Sequence, residues 1–477
     1  MAEESLKNKT VKGAIWGVAE RFSVQSVGFI VTLFVARILD PRDFGLIGML
    51  AIFIGVSESI VDSGFTQALI RKQDRTNEDN STAFFFNFII SLLVYLLLFF
   101  IAPYVADFYN EPQLKSLMRG LCLIIVIYSL SIVQRALLSA SLDFKTQAKA
   151  SFTSAIISGI VGIVFALYGF GAWALVFQQV IGALVNTVLL WVYSQWRPLL
   201  VFSIKSFKEM FKFGSRLLIS GLLDQIYINM YQLVIGKVFA AKTLGFYSQA
   251  DRFTKLPSSN LSGIVQRVSY PALCEIQNDE VKLQLTFRKL IRLSSFVIFP
   301  LMCFLAAIAR PLITFLIGEK WEMTAILMIP LCFNLMWYPV HALNLIVLQV
   351  KGRSDLLLRL EIIKKIIGVL ILAVTLPFGV LVMCYAGIFS SIIGLVINTY
   401  YTGKLMKVGL LSQMNELKFI LLQSLLLFFF VYLTTMYISH NITALLVAIV
   451  EGVILFFIMS VILNPLDLKY MINLVKR

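Results

Sequence analysis

Apolar stretches long enough to cross a bilayer recur along this chain. Ala83 to Ala102, Ser151 to Val192 and Phe419 to Ile438 approach or exceed the ~20 residues that a helix needs to span the hydrocarbon core. Only 14% of the 477 residues are charged and 59% are hydrophobic, whereas a soluble domain carries about 25% charged residues. No soluble core needs that much apolar surface, and the mean hydropathy of +0.86 agrees. The chain reads as an all-α polytopic membrane protein.

The chain also reads as built twice. Val35-Ala36-Arg37-Ile38-Leu39 followed by Phe44-Gly45-Leu46 recurs two hundred residues later as Ile235-Gly236-Lys237-Val238-Phe239 followed by Leu244-Gly245-Phe246, with Gln25 matching Gln225. A weaker echo sets Arg135-Ala136-Leu137 against His341-Ala342-Leu343. About 14 spans are expected. The seventh (209–238) and eighth (243–270) repeat the first and second, and the eighth is too polar for hydropathy alone, with Asp251, Arg252 and Lys255 inside it. Equivalent spans of the two hairpins are offset by six, an even number, so both copies face the same way, as parallel repeats do. The expected organisation is an N-terminal lobe over 1–200, a C-terminal lobe over 201–405, and two further spans with a tail over 406–477.

Charge sets the expected orientation. With the N-terminus inside, loops on the cytoplasmic side hold about 28 of the 41 Lys and Arg and loops outside about 8. The net charge of +15 is then the mark of short cytoplasmic loops and not of nucleic-acid binding. Basic clusters such as Lys205, Lys208 and Lys212 fall where anionic headgroups attract them. Met1 to Lys12 are polar, and no short apolar region with a small-residue cleavage site follows, so no signal peptide is expected. The five cysteines show no CxxC spacing, which predicts neither disulfides nor a zinc site.

No phosphate loop, HExxH or GxSxG is present, and the only histidines are His341 and His440. The chain reads as a non-enzyme with no metal and no cofactor. What remains is charge where charge is expensive: at least ~2.5 kcal/mol at the centre of a bilayer, so such residues should face an aqueous cavity. Gly17, Arg21, Gln25, Gly28 and Thr32 form a small-and-polar stripe on the first span, with Glu20 beside it. Glu58 and Asp62 lie on the second, Gln225 with Asp224 at its flank on the seventh, and Asp251, Arg252 and Lys255 on the eighth. Arg135 shares a face of the fourth with Tyr128, Ser131 and Ser139. Arg binds phosphate through paired donors and Lys as a point charge, so a pyrophosphate-bearing molecule suits Arg21, Arg252 and Lys255. Gln25, Arg135 and Gln225 join them as candidate substrate contacts, while Glu20, Glu58, Asp62, Asp224 and Asp251 are candidates for a coupling H⁺ or Na⁺. The bland alternative is that small residues let helices approach and that opposite charges neutralise one another.

Several motifs carry a family resemblance. Asp40-Pro41-Arg42-Asp43-Phe44-Gly45, Leu244-Gly245-Phe246-Tyr247-Ser248-Gln249-Ala250-Asp251-Arg252, Leu256-Pro257, and Val268-Ser269-Tyr270-Pro271-Ala272-Leu273 with Gln277-Asn278-Asp279 resemble the polysaccharide transporter (Wzx-type) flippases of the multidrug/oligosaccharidyl-lipid/polysaccharide exporter superfamily. Leu137-Leu138-Ser139-Ala140-Ser141-Leu142-Asp143-Phe144 is similar to the family's stretch after the fourth span. The resemblance covers spans one to ten and reaches the last four mainly through hydropathy.

It implies a V-shaped pair of six-helix lobes plus two C-terminal helices in a bacterial inner membrane, both termini cytoplasmic. It also implies passage of an undecaprenyl-diphosphate-linked glycan from the cytoplasmic to the periplasmic leaflet for O-antigen, capsule or exopolysaccharide synthesis. The implied partners are the lipid-linked oligosaccharide, membrane lipids, and a polysaccharide polymerase with chain-length machinery. Flippases of this superfamily often place basic residues on the first and eighth spans, matched here by Arg21, Arg252 and Lys255. Two other readings stay open, a cation-coupled multidrug antiporter of the same architecture and a membrane glycan polymerase.

Overall fold

The computed structural model describes residues 2–438 and 440–475, and of 2–15, 18, 216, 264, 474 and 475 the backbone only. The polar side chains of Met1 to Lys12 therefore lie outside the described residues. Those residues hold twenty α-helices and no strand. The first ten are α1 Ala2–Ile38, α2 Pro41–Asp62, α3 Phe65–Arg71, α4 Asn77–Tyr109, α5 Gln113–Leu121, α6 Leu123–Ser129, α7 Ile132–Ala140, α8 Phe144–Leu167, α9 Ala172–Tyr193 and α10 Ile204–Val238. The others are α11 Ala241–Glu275, α12 Glu280–Ala307, α13 Ala309–Ile317, α14 Glu322–Leu335, α15 Tyr338–Val350, α16 Ser354–Thr375, α17 Val380–Met406, α18 Leu410–Tyr437, α19 Asn441–Leu463 and α20 Pro465–Val475.

The expected fourteen spans are not all recovered by length and hydropathy. Among the described residues ten helical segments are long and apolar enough to cross a membrane, or eleven if Gln113–Ser129 and Ile132–Ala140, bent by 42°, form one crossing. The other three expected spans fall on the helices α10, α11 and α16, which are 35, 35 and 22 residues long. Each has the length to cross, but each carries charge inside it: Asp224 in α10, Asp251, Arg252 and Lys255 in α11, Glu361, Lys364 and Lys365 in α16. Polarity, not length, removes them from the hydropathy count.

The chain divides into two compact units, Met1–Gly245 and Phe246–Arg477. This boundary lies beyond residue 200, the junction read from the repeat, because α10 packs along α2 within the first unit. The side-chain amide oxygen of Gln225 lies 2.6 Å from where a Cβ on Gly55 would stand.

The first unit starts from well-formed helix ends. Pro41 opens α2 in its first turn, where a missing N–H removes no helical bond. Asp43 turns back to accept from the Asp40 N–H at 3.1 Å. Thr76 and Asp79 cap α4 reciprocally, each accepting from the other's backbone N–H. The break between α2 and α3 is made by Ser63 and Gly64, both left-handed, with φ of 44° and 72°. Gly64 faces Gly214 of α10 so closely that a Cβ on Gly64 would stand 2.7 Å from the Gly214 Cα. Beside this crossing Phe65, Leu69, Phe84 and Val133 are buried among Phe86, Trp191 and Phe207.

The repeated hairpins meet at equivalent glycines. A Cβ on Gly45 would stand 1.7 Å from the Ala241 carbonyl oxygen, and one on Gly245 would stand 1.8 Å from that of Pro41. Each glycine thus accommodates the backbone of the other copy, an approach that no side chain permits.

In the second unit α12 is the central helix. Phe287, Ile291, Phe296 and Phe299 are fully buried against Cys332, Trp337, Leu343 and Leu417. Asn344, Thr402 and Gln413 form a buried polar knot with bonds of 2.7 to 2.9 Å. At one end Arg288 and Arg292 of α12 pair with Glu416 of α18, and Arg292 reaches Asp467 of α20 at 2.7 Å. A hollow of about 660 Å³ lies above α20, lined by Pro300, Phe304, Leu427, Gly452, Phe456 and Leu468. All five cysteines are free, four of them buried, as expected of small apolar packing residues.

The reciprocal glycine approach is tested by thermal unfolding in detergent. Gly45→Ala and Gly245→Ala each lower stability by about 1–3 kcal/mol through overpacking. The double variant loses less than the sum, because the first methyl already parts the backbones. Gly263→Ala, whose added Cβ meets nothing within 4 Å, leaves stability unchanged or raises it by up to about 1 kcal/mol.

Candidate functional site

Four helices of the first unit converge on one polar network. Glu20 of α1 accepts from the Ser151 hydroxyl of α8 at 2.7 Å. The Asn186 amide of α9 donates to Ser154 at 3.3 Å and to Ser151 at 3.5 Å, and its oxygen accepts from the Arg135 guanidinium of α7 at 3.0 Å. An acid and a base distant in sequence are thereby connected through neutral groups. The Arg135 guanidinium also lies 5.7 Å from the Tyr128 ring centre, within cation–π range. Glu58 of α2 interacts with Arg135 by charge. The Arg135 Nε is buried without a hydrogen-bond partner, so one donor of the fork stays available.

Asp62 has a local task. Its carboxylate accepts from the Thr66 N–H at 3.3 Å and also from the Thr66 hydroxyl, closing the turn between α2 and α3. Gln225 is held by Asn229, whose amide donates to the Gln225 side-chain oxygen at 3.3 Å. Its repeat partner Gln25 is half-buried, with a side-chain oxygen that is buried and has no partner. Arg21 is exposed on α1 and Asp224 is exposed on α10. The first unit thus brings Glu20, Glu58 and Arg135 together and leaves Arg21 outside the network.

In the second unit Lys255 pairs with Asp251 one turn earlier on α11, at 2.7 Å, with half of the Lys255 side chain exposed. The Asp251 carboxylate is mostly buried, so the half-exposed lysine is the member of the pair that a ligand phosphate can reach. Arg252, next along the helix, is exposed. α11 continues through Pro257 and Pro271, and the Ser258 hydroxyl donates to the Leu335 carbonyl at 3.0 Å. His341 of α15 is bonded at both ring nitrogens, to Ser391 at 3.0 Å and Asn398 at 3.1 Å. Among the described residues no three His, Cys, Asp or Glu side chains are placed to hold a metal ion.

Sequence reading did not single out Asn186 and Ser151. The available signal was an asparagine in the apolar run from Ser151 to Val192, where a polar side chain without a purpose is costly. Glu361 and Lys364, an ion pair at 2.6 Å on α16, were likewise unassigned to a site.

A family model described as polysaccharide biosynthesis protein matches residues 34–326. The chain belongs to this polysaccharide biosynthesis protein family. Glu20, Arg21 and Gln25 precede the matched segment, whereas Glu58, Arg135, Gln225, Arg252 and Lys255 fall inside it. The lipopolysaccharide biosynthesis protein WzxC of Escherichia coli (strain K12) is 27% identical over 324 residues, 67% of this chain and 65% of that protein. The teichuronic acid biosynthesis protein TuaB of Bacillus subtilis (strain 168) is 29% identical over 304 residues, 63% of this chain and 62% of that protein. The chain thus spans a little under two thirds of the length of these two relatives.

Among solved structures, the lipid II flippase MurJ in its inward closed conformation has a TM-score of 0.76 at 17% identity, covering 94% of this chain and 98% of that one. An inward-facing multidrug resistance MATE transporter of the MOP superfamily has a TM-score of 0.63 at 14% identity, covering 82% of this chain and 100% of that one. At these identities the likeness establishes the fold. The protein is a multi-pass helical membrane protein with the fold of these solved structures.

The bond between Arg135 and Asn186 is tested by a double-mutant cycle with Arg135→Ala and Asn186→Ala, read as thermal stability in detergent. A hydrogen bond to a charged group predicts a coupling of about 1.5–3 kcal/mol. Additivity of the two losses would remove the bond from the network.

Proposed function

We propose that the protein is a flippase that carries an undecaprenyl-diphosphate-linked oligosaccharide between membrane leaflets, for the synthesis of a cell-surface polysaccharide. The carrying observation is the family match over 34–326, within which an exposed Arg252 and a half-exposed Lys255, paired with Asp251, lie on one helix. Arg252, Lys255 and the exposed Arg21 of α1 take the roles of diphosphate ligands, because forked and point cations suit adjacent phosphates. Gln25 and Gln225 bind the glycan. Arg135 contributes its unpartnered Nε, tempered by the acids around it. Substrate translocation is a binding and positional event in this reading, and no bond of the lipid is made or broken.

The reading places the protein in a bacterial inner membrane with both termini cytoplasmic, the side that the basic excess selects. Lobes over 1–200 and 201–405, with the last two spans over 406–477, follow the repeat. Glu20 and Glu58 are the acids best situated for a coupling ion, since both share the Arg135 network. Asp62, Asp224 and Asp251 are secondary candidates. A polysaccharide polymerase and chain-length machinery would act on the delivered lipid.

The test is leaflet translocation of an extracted undecaprenyl-diphosphate oligosaccharide in proteoliposomes, beside uptake of a cationic dye. The expected outcome is lipid flipping by the wild type and at least tenfold slower flipping by correctly folded Arg252→Ala and Arg21→Ala, since each substitution deprives the diphosphate of one charge-assisted hydrogen bond. Dye uptake without lipid flipping would make the protein a drug exporter.

A further inference from the structure

We propose that His341 is a proton-binding site: its Nδ1 takes up a proton from water, and the Asn398 side chain turns over to accept the new N–H. The second unit supplies every part. His341 stands on α15, Ser391 and Asn398 on α17, Glu361 and Lys364 on α16.

The donor roles in the structure run in one direction. The Asn398 amide nitrogen lies 3.1 Å from the His341 Nδ1. An amide N–H donates, so that ring nitrogen accepts and the imidazole is neutral. The Nε2–H then donates to the Ser391 oxygen at 3.0 Å, and the Ser391 hydroxyl donates to the Asn334 carbonyl at 3.4 Å.

One group is left over. The Asn398 side-chain oxygen is buried and has no partner. A fully buried asparagine that leaves its acceptor idle is unusual, since buried polar atoms are nearly always satisfied. Turning the amide by half a rotation brings this oxygen against Nδ1, which is the arrangement an imidazolium requires, with both ring nitrogens donating. The rotation leaves the amide nitrogen idle in place of the oxygen. Each protonation state thus has one unsatisfied amide atom, but the bond accepted from the imidazolium is charge-assisted and the stronger of the two, so the amide favours the protonated ring.

The charged surroundings permit the step. Lys364 and His341 crowd the same space over Gly394, their Cδ and Cε1 atoms lying 3.5 and 3.6 Å from where a Cβ would be. The Lys364 ammonium repels a positive charge on the imidazole, and its bond to Glu361 at 2.6 Å lessens that repulsion without removing it. α17 presents the neutral Ser391 and Asn398, and α14 the neutral Asn334 carbonyl. α12 directs Arg288 and Arg292 to Glu416 and Asp467. The Glu361 side chain is 36% exposed and that of Lys364 19%, which offers a route to water from the edge of the cluster. Histidine is the side chain whose ordinary titration falls near physiological pH. A proton held here on one face of the membrane and released on the other would be the coupling ion of transport, a role that rests on the flippase reading; the binding site itself does not.

Two measurements separate the two claims. The chain has two histidines, so His440→Asn, which preserves a helix cap, leaves His341 as the sole imidazole for nitrogen-15 NMR in nanodiscs. Acidification over about pH 8 to 4 is expected to convert Nδ1 from acceptor to protonated donor. Asn398→Leu, which removes the acceptor for that N–H, is expected to weaken proton binding about tenfold or more. An imidazole that stays neutral throughout, or proton affinity unchanged in Asn398→Leu, overturns the site. In proteoliposomes, a pH gradient is expected to accelerate lipid flipping by the wild type and not by His341→Gln. Gradient dependence that persists in His341→Gln overturns the coupling role. Absence of lipid flipping by the wild type overturns the flippase reading, while the NMR result still decides the proton site.

Discussion

A helix surrounded by lipid gains little by covering its apolar side chains with those of another helix, because the lipid tails are as apolar as the partner. What holds this chain together must then be close backbone approach and polar bonds made away from water. Gly45 and Gly245 supply the first, each occupying space that a methyl would deny to the other copy's carbonyl. The chain from Glu20 through Ser151 and Asn186 to Arg135 supplies the second. The same requirement explains why asparagines, serines and glutamines inside apolar helices are found bonded across to neighbours. Gln423, Ser460 and Asn464 do this between α18 and the end of α19, with bonds of 2.7 Å.

Much of this was legible in the sequence, for identifiable reasons. Long apolar runs fix helices as the means of crossing, and the motif at Asp40 to Gly45 becomes a proline-opened helix whose glycine meets its repeat. The repeat also justified α11 as a long helix despite Asp251, Arg252 and Lys255. The count of spans was harder, because a helix that lines a polar space or carries ion pairs loses the one property that hydropathy measures. The pairing of charges was hidden altogether. Lys255 and Asp251 are close in sequence and could have been matched, but Arg135 finds its partner on α9 only after folding.

Charge is handled in two ways. Around Arg135, acids and a base are joined through neutral hydroxyl and amide groups, so a change at Glu20 can be felt at Arg135 without either moving far. Elsewhere charges are met directly, Arg42 by Glu111 and Lys72 by Asp79 in the first unit, and Lys255 by Asp251, Lys364 by Glu361 and Arg292 by two acids in the second. Direct pairs hold geometry, whereas a relay of neutral groups can reorganise by rotating hydroxyls, with little displacement of heavy atoms. Arg135 is thereby a cation whose availability depends on its neighbours' hydrogen-bonding state, while Arg21 stands at an exposed position outside that network.

The clamp at the foot of α12 carries a consequence for handling the protein. Arg292 divides its guanidinium between Glu416 and Asp467, and Leu468 floors the apolar hollow above. The final helix is therefore a keystone and not a tail. Trimming it back to the end of α19, as is common when shortening a chain for expression, would strip one acid from Arg292 and open the hollow to whatever detergent is used in purification. Preparations that lack α20 would then differ from the intact protein in their bound amphiphile as well as in their length.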